Sequence, residues 1–349
     1  MKNHPLRTRA QSFALRTFLP LCLFFSLSAI AATEEQLTKS FPVQPGGKIV
    51  VDVDMGSIDL FATNASNEVV VDVWRKIGRK KKTDEEAYLR QHPVEISQDG
   101  NTVSVRCRSK SKTKWSWGFT ERNQNEAKYT LTVPAEFNAR LDTAGGAISA
   151  SDLTGEVKAD TSGGGLRFSR LHGPLEGNTS GGGIHVTDCE GKLRIETSGG
   201  GITVAGGSGS LKAETSGGPV SVSKFRGPAN LQTSGGGITL EDVAGEIRAE
   251  TSGGGIKAAL PAPLLGPVKL ETSGGGITLR LPADAAFDLD AETSAGGVSS
   301  DLPVAVVGKH EHGRLKGSVN GGGHPVLLRT SAGGIHVVKS ERTLAEDPK

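Results

Sequence analysis

The sequence predicts an all-β chain wound as a β-solenoid, a parallel β-helix-like rod of 18–21-residue coils. Three observations predict it. First, the phrase Thr-Ser-Gly-Gly, or a near copy, begins at Thr143, Thr161, Thr179, Thr197, Thr215, Thr233 and Thr251 in steps of 18. It returns at Thr272 and Thr293 in steps of 21, and once more at Thr330. Second, apolar residues recur at fixed columns of the unit. The sixth holds Ile148, Leu166, Ile184, Ile202, Val220, Ile238 and Ile256, and the eighth holds Ala150, Phe168, Val186, Val204, Val222, Leu240 and Ala258. Third, the thirteenth column is glycine at Gly155, Gly173, Gly191, Gly209, Gly227 and Gly245.

Apolar-polar-apolar across columns six to eight is the period-two pattern of a strand with one buried face. The fifteenth column (Val157, Leu175, Leu193, Leu211, Ala229, Ile247) starts a second such strand. Glycine at constant phase marks a corner, and the glycine run after each Thr marks another. A single unit cannot bury its apolar face, so the units must stack, with backbone hydrogen bonds running between coils. Bulk composition agrees. The chain of 349 residues has 48 glycines and only 5% aromatics, which suits short strands and tight turns.

Taken in order, residues 1–31 read as a secretory signal: basic Lys2, Arg7, Arg9 and Arg16, an apolar stretch from Phe18 to Ile30, and Ala29-Ile30-Ala31 at the cleavage positions. The apolar stretch is short of the ~20 residues a membrane span needs. Leu21 precedes Cys22, which does not suit a lipoprotein anchor, and the mature chain has no transmembrane span. It keeps 36 basic and 38 acidic residues, net −2. Its cysteines, Cys107 and Cys189, sit at apolar strand positions and are expected buried and free.

Residues 32–142 form a β-rich N-terminal part. "FPVQPGGKIVVDVDMGSIDLF" and "EVVVDVW" read as strands. Thr83 and Glu86 form a capping box for a short helix from Asp84 to about His92, stopped by Pro93. "VEISQDGNTVSVRC" reads as a hairpin turning at Asp99-Gly100. Residues 143–349 are the regular solenoid and its cap, with "RLKGSVNGGGHPVLLRTSAGGIHVVKS" as three strands closing the end. Eight steps from Thr143 to Thr293 give a rod of roughly 38 Å at ~4.8 Å per coil.

Several phrases, "FPVQPGGKIVVDVDMGSIDL", "YTLTVPAEFNARLDTAGGAIS" and the repeated "ETSGGGI", together resemble the bacterial putative-adhesin family of β-strand-repeat proteins, a domain of unknown function. The resemblance covers nearly all of the mature chain. It implies an exported β-solenoid and brings no catalytic residues with it.

Candidate chemistry is sparse. The eighteenth column is polar: Asp160, Asn178, Glu196, Glu214, Gln232, Glu250, Glu271 and Glu292. Carboxylates one coil apart approach the ~5–5.5 Å separation of retaining glycosidases. The column tolerates amides, however, and Lys158, Arg194, Lys212 and Arg248 alternate beside it, which reads as charge balancing between coils. Asp160-Thr161-Ser162-Gly163 only faintly matches an aspartic-protease motif, and the glycine runs lack the ending of a phosphate loop. His310 and His312 read as an exposed loop. No catalytic residue, metal site or cofactor is assigned.

The clearest binding signal is basic and aromatic. Residues 72–130 carry 14 basic and 8 acidic residues. Arg79, Lys80, Lys81, Lys82, Lys112 and Lys114 suit phosphates or carboxylates, and Trp115 and Trp117 suit sugar rings or a membrane interface. The expected protein is an exported, non-enzymatic, adhesin-like binding or structural protein, periplasmic or at the cell surface. Its expected partner is an envelope polymer, an anionic lipid surface or an envelope protein, and not nucleic acid. The alternatives are a polysaccharide-processing enzyme on a β-helix and an envelope-stress or assembly accessory.

Overall fold

A computed structural model describes residues 32–79, 81–109, 124–306 and 313–340. The 1–31 leader and the His310/His312 loop lie outside the described residues.

The coils stack into two parallel β-faces packed back to back. One face carries columns six to nine, for example Ile148–Ser151, Leu166–Ser169 and Ile238–Glu241. The other carries column fifteen through the next Thr, for example Val157–Thr161, Leu175–Thr179 and Ile247–Thr251. Pairing is in register: Leu166 lies between Ile148 and Ile184, and Val157 between Ala139 and Leu175. A slip of one residue would turn each apolar set outward, so burial fixes the register. The columns read from sequence point inward, with Ile148, Leu166, Ile202 and Leu193 each 1% exposed.

The coil has a third, narrower side that the column reading did not register. Column eleven also points inward, as Leu153, Leu171, Cys189, Phe225 and Val243, all buried. Between Ile184–Thr197 and Ile202–Thr215 the ladder runs through this side, where Cys189 pairs with Gly207 and Glu190 with Ser208; elsewhere it is paired by single bridges, such as Thr154 to His172 to Glu190 and Ser208 to Arg226 to Ala244. The chain enters it through a left-handed residue. Asp152, Arg170, Asp188, Gly206, Lys224 and Asp242 all have φ between 50° and 77°. Glycine occupies that corner once, so the sequence hides it. The corner after it is column thirteen, where Gly173 has φ +137° and a Cβ would sit 2.5 Å from the Gly155 carbonyl oxygen.

The recurring Thr-Ser-Gly-Gly phrase has a physical cause. Each Thr side chain points inward and is nearly buried. Thr197 Oγ1 donates to the Gly182 carbonyl of the preceding coil at 2.8 Å and accepts from the Gly200 amide at 3.3 Å. A buried carbonyl and a buried N–H at the tightest corner are thereby satisfied. All ten Thr residues make the first bond. Across the coil, volumes compensate. Phe168 takes a column otherwise held by Ala, Val or Leu, and a Cβ on Gly177 would lie 2.9 Å from its ring.

Both ends of the rod depart from sequence order. Thr330 bonds the Gly275 carbonyl, and Thr293 bonds that of Gly333. The last coil, His324–Thr330 and Ile335–Ser340, is therefore inserted between the Thr272 and Thr293 coils. This corrects the expected cap. Three strands do form there, but only Arg314–Val319 covers an end, pairing antiparallel with Phe287–Thr293 and with Val304–Val306. Thr143 and Thr293 are thus nine steps apart, about 43 Å. The other end repeats the device. Gly47–Val53 lies between Thr102–Cys107 and Phe137–Thr143, and Ser57–Thr63 lies between Gln124–Pro134 and Ile148–Ser151. Glu68–Gly78 and Thr33–Pro42 then add antiparallel strands.

Two local expectations change. The helix spans Lys82–Gln91 with Lys81 at its N-cap and no side-chain cap bond, so Thr83 does not cap it. The Lys81 carbonyl accepts the Asp84 amide at 3.0 Å, starting the first turn earlier than the capping box implied. The hairpin forms, with Asp99 paired to Thr102 and Gly100-Asn101 at its turn. Cys107 and Cys189 are buried and free. They lie four coil steps apart, roughly 19 Å, far beyond the ~7 Å Cα reach of a disulfide. Among the described residues no helix is long and apolar enough to cross a membrane.

Candidate functional site

A polar trough runs along the rod, with a volume of about 1270 Å³. One wall is column eighteen, from Asp142 and Asp160 to Glu271 and Glu292. The other is the Ser of each repeated phrase, Ser162 through Ser294 and Ser331. Both walls follow from strand alternation. The Thr between them turns inward, so its two neighbours turn outward on the same edge. The carboxylates had been singled out from the sequence; the serines had not, although they are just as periodic.

Most of the trough's acids are paired with cations of the rod. Arg194 pairs with Glu196 at 2.7 Å and Arg248 with Glu250 at 2.7 Å. Lys212 reaches Glu214 at 2.8 Å and Glu196 at 3.9 Å, and Lys269 reaches Glu271 at 2.8 Å and Glu250 at 3.4 Å. Asn178 donates to Asp160 at 2.8 Å. This is the charge balancing between coils expected from the sequence. The ladder offers carboxylates already shared with cations. Among the described residues, no group of three His, Cys, Asp or Glu is placed to hold a metal.

The basic corner is partly described. Arg79 lies over the Tyr88 ring, 4.8 Å from its centroid, and its amide donates to Glu85 Oε1 at 3.0 Å. That guanidinium is engaged on the protein itself. Lys81 and Lys82 stand exposed where the helix begins, and among the described residues neither forms an ion pair. Lys80, Lys112, Lys114, Trp115 and Trp117 lie outside the described residues. The two basic stretches reach opposite ends of the helix: Lys82 opens it, and the His92 carbonyl at its other end faces the Cys107 thiol at 3.7 Å. Arg108 is held by Asp52 and, at 2.9 Å, by Asp54, which raises its already high pKa, chiefly through the Asp52 hydrogen bond.

Beneath the helix sit two buried charges that sequence reasoning passed over. Arg75 is 3% exposed and Glu85 1%. Arg75 binds Glu35 and donates to the His92 carbonyl at 2.7 Å. Glu85 accepts from the Thr33 hydroxyl at 2.5 Å and the Thr33 amide at 3.2 Å. The Thr33 hydroxyl, then the Arg79 amide, hold the Glu85 carboxyl below its usual value. Both residues looked like ordinary surface charges in a basic stretch. Only the fold brings the start of the described chain against them.

A model of the Toastrack DUF4097 family matches residues 48–338. Solved structures also align along the chain. One, described as a putative adhesin from Parabacteroides merdae, is 11% identical and covers 88% of this chain and 97% of its own, with a TM-score of 0.37. A putative cell adhesion protein from Clostridium sporogenes is 9% identical, covering 88% and 100%, with a TM-score of 0.23. A putative lipid binding protein from Parabacteroides distasonis is 12% identical, covering 88% and 97%, with a TM-score of 0.33. No curated protein matches the sequence.

Proposed function

The chain belongs to the Toastrack DUF4097 family, and on that premise we propose that it is an exported, non-enzymatic binding protein of the cell envelope, adhesin-like in its use of a rigid rod. The basic and apolar leader supports export to the periplasm or cell surface. The observation that carries the binding reading is a contrast in charge. Along the trough the cations are spent on neighbouring carboxylates, whereas Lys81 and Lys82 stand exposed at the helix and form no ion pair among the described residues. Exposed cations at the helix, together with a second basic stretch that carries Trp115 and Trp117, suit an anionic, ring-bearing envelope polymer or an anionic lipid surface. We assign Lys80, Lys81, Lys82, Lys112, Lys114, Trp115 and Trp117 to this patch, with Arg79, held over Tyr88, at its edge. Residues 32–142 then supply the specific contact, and the solenoid of residues 143–349 supplies reach and stiffness.

Co-sedimentation of the mature protein with isolated peptidoglycan, outer-membrane lipid and capsule, at low and high salt, tests the proposal. The comparison is a variant with Lys80, Lys81, Lys82, Lys112 and Lys114 changed to Gln. Salt-sensitive binding that the variant loses is the expected result. Absence of binding to every fraction overturns it and leaves an assembly accessory acting through protein contacts.

A further inference from the structure

The two buried cysteines occupy opposite surroundings. Cys189 lies in the apolar inner column, 0% exposed, and burial pushes its thiol pKa up. Cys107 ends a strand at the rod's N-terminal end and keeps 6% exposure. The Arg75 guanidinium stands 3.5 Å from Cys107 Sγ. On its other side, the Tyr129 hydroxyl is fully buried and meets no hydrogen-bond partner. Burial, then the neighbouring Cys107, raise its pKa. An unsatisfied buried hydroxyl costs about 1–3 kcal/mol.

We propose that Cys107 is a site of oxidation by hydrogen peroxide or a small organic peroxide, with Arg75 and Tyr129 holding the oxidised sulfur. The sulfur attacks one peroxide oxygen and the O–O bond breaks. The thiol proton leaves with the other oxygen as water or alcohol. Sulfur loses two electrons and the peroxide gains them, giving a sulfenic acid. An oxygen on Sγ is the acceptor that Tyr129 lacks, and the Arg75 guanidinium, which also binds Glu35, is within reach to donate to it. Burial around the site keeps a second thiol from condensing with it, and Cys189 is out of reach.

The test exposes the folded mature protein to hydrogen peroxide and then unfolds it in a 1,3-dione that traps sulfenic acid. Peptide mass spectrometry reads both cysteines. Trapping at Cys107 at least about tenfold above Cys189 is expected, and equal or absent trapping at Cys107 overturns the proposal. Tyr129→Phe removes an unpaired hydroxyl and should leave folding intact. It should lower trapping at Cys107 about tenfold, the loss of one hydrogen bond to a charged group. Unchanged trapping in that variant overturns the role of Tyr129. The wild-type ratio is read on the natural chain and stands whether or not the variant folds.

Discussion

At the scale of single residues, adjacent glycines of one phrase do different work. A Cβ on Gly199 would lie 3.5 Å from the Gly181 carbonyl oxygen, an ordinary contact. One on Gly200 would lie 2.0 Å from the Gly182 oxygen, which is backbone and cannot rotate away. Gly199→Ala should therefore fold with a urea midpoint close to wild type, while Gly200→Ala should lose the cooperative transition or fail to express. Equal behaviour of the two would contradict the packing of that corner. The neighbouring Thr197 allows a test of its hydroxyl. Thr197→Val keeps the shape and leaves the Gly182 carbonyl and Gly200 amide unpaired, at a cost of about 1–3 kcal/mol by urea unfolding. Thr197→Ser, which keeps the oxygen, should cost less. The same phrase therefore needs Thr for a bond and its second glycine for space, and only the stacked structure separates those reasons.

At the scale of elements, the helix is tied down by charge more than by its own sequence. It has no side-chain cap, and Glu85 is turned inward to Thr33 and Arg79. The Glu85 pKa is lowered in the folded chain, so its stabilisation is present above the unfolded value near 4.5 and is lost as pH falls through the folded value. The stability gap between wild type and Glu85→Gln should be full at neutral pH and narrow as pH falls below about 4.5. Urea midpoints across that range measure it, and a gap unchanged at low pH would refute the clasp. Capping-box logic located a helix here but misplaced its start. The contact that decided it comes from Thr33, about 50 residues away in sequence.

At the scale of the whole molecule, chain order and spatial order differ at both ends. The coil of residues 324–340 fills the space between the Thr272 and Thr293 coils. In a solenoid stacked in sequence order, removing the last coil would only shorten the rod. Here, truncation after Val319 would leave Val268–Thr272 and Phe287–Thr293 without their shared partner. Hydrogen exchange should show protection lost at Val268–Thr272 in that truncation, well inside the sequence. Protection retained there would argue against insertion. Late insertion also means the final strands must arrive before the rod closes, and antiparallel pairing at the two ends blunts edges that could otherwise recruit further strands.

The sequence by itself determined the repeated middle: coil length, inward columns, corner glycines and the balance of charge along the ladder. Each of these is a local rule repeated at constant spacing, so periodicity makes it visible. It also marked the basic patch as a composition, though not as a surface. Tertiary structure alone decided the insertion of the terminal coils, the narrow third side with its left-handed corners, the burial of Arg75 and Glu85, and the placing of Arg75 against Cys107. These depend on contacts that occur once, between residues far apart in the chain. A pattern read along the chain registers what recurs, whereas a single distant contact exists only once the chain has closed around it.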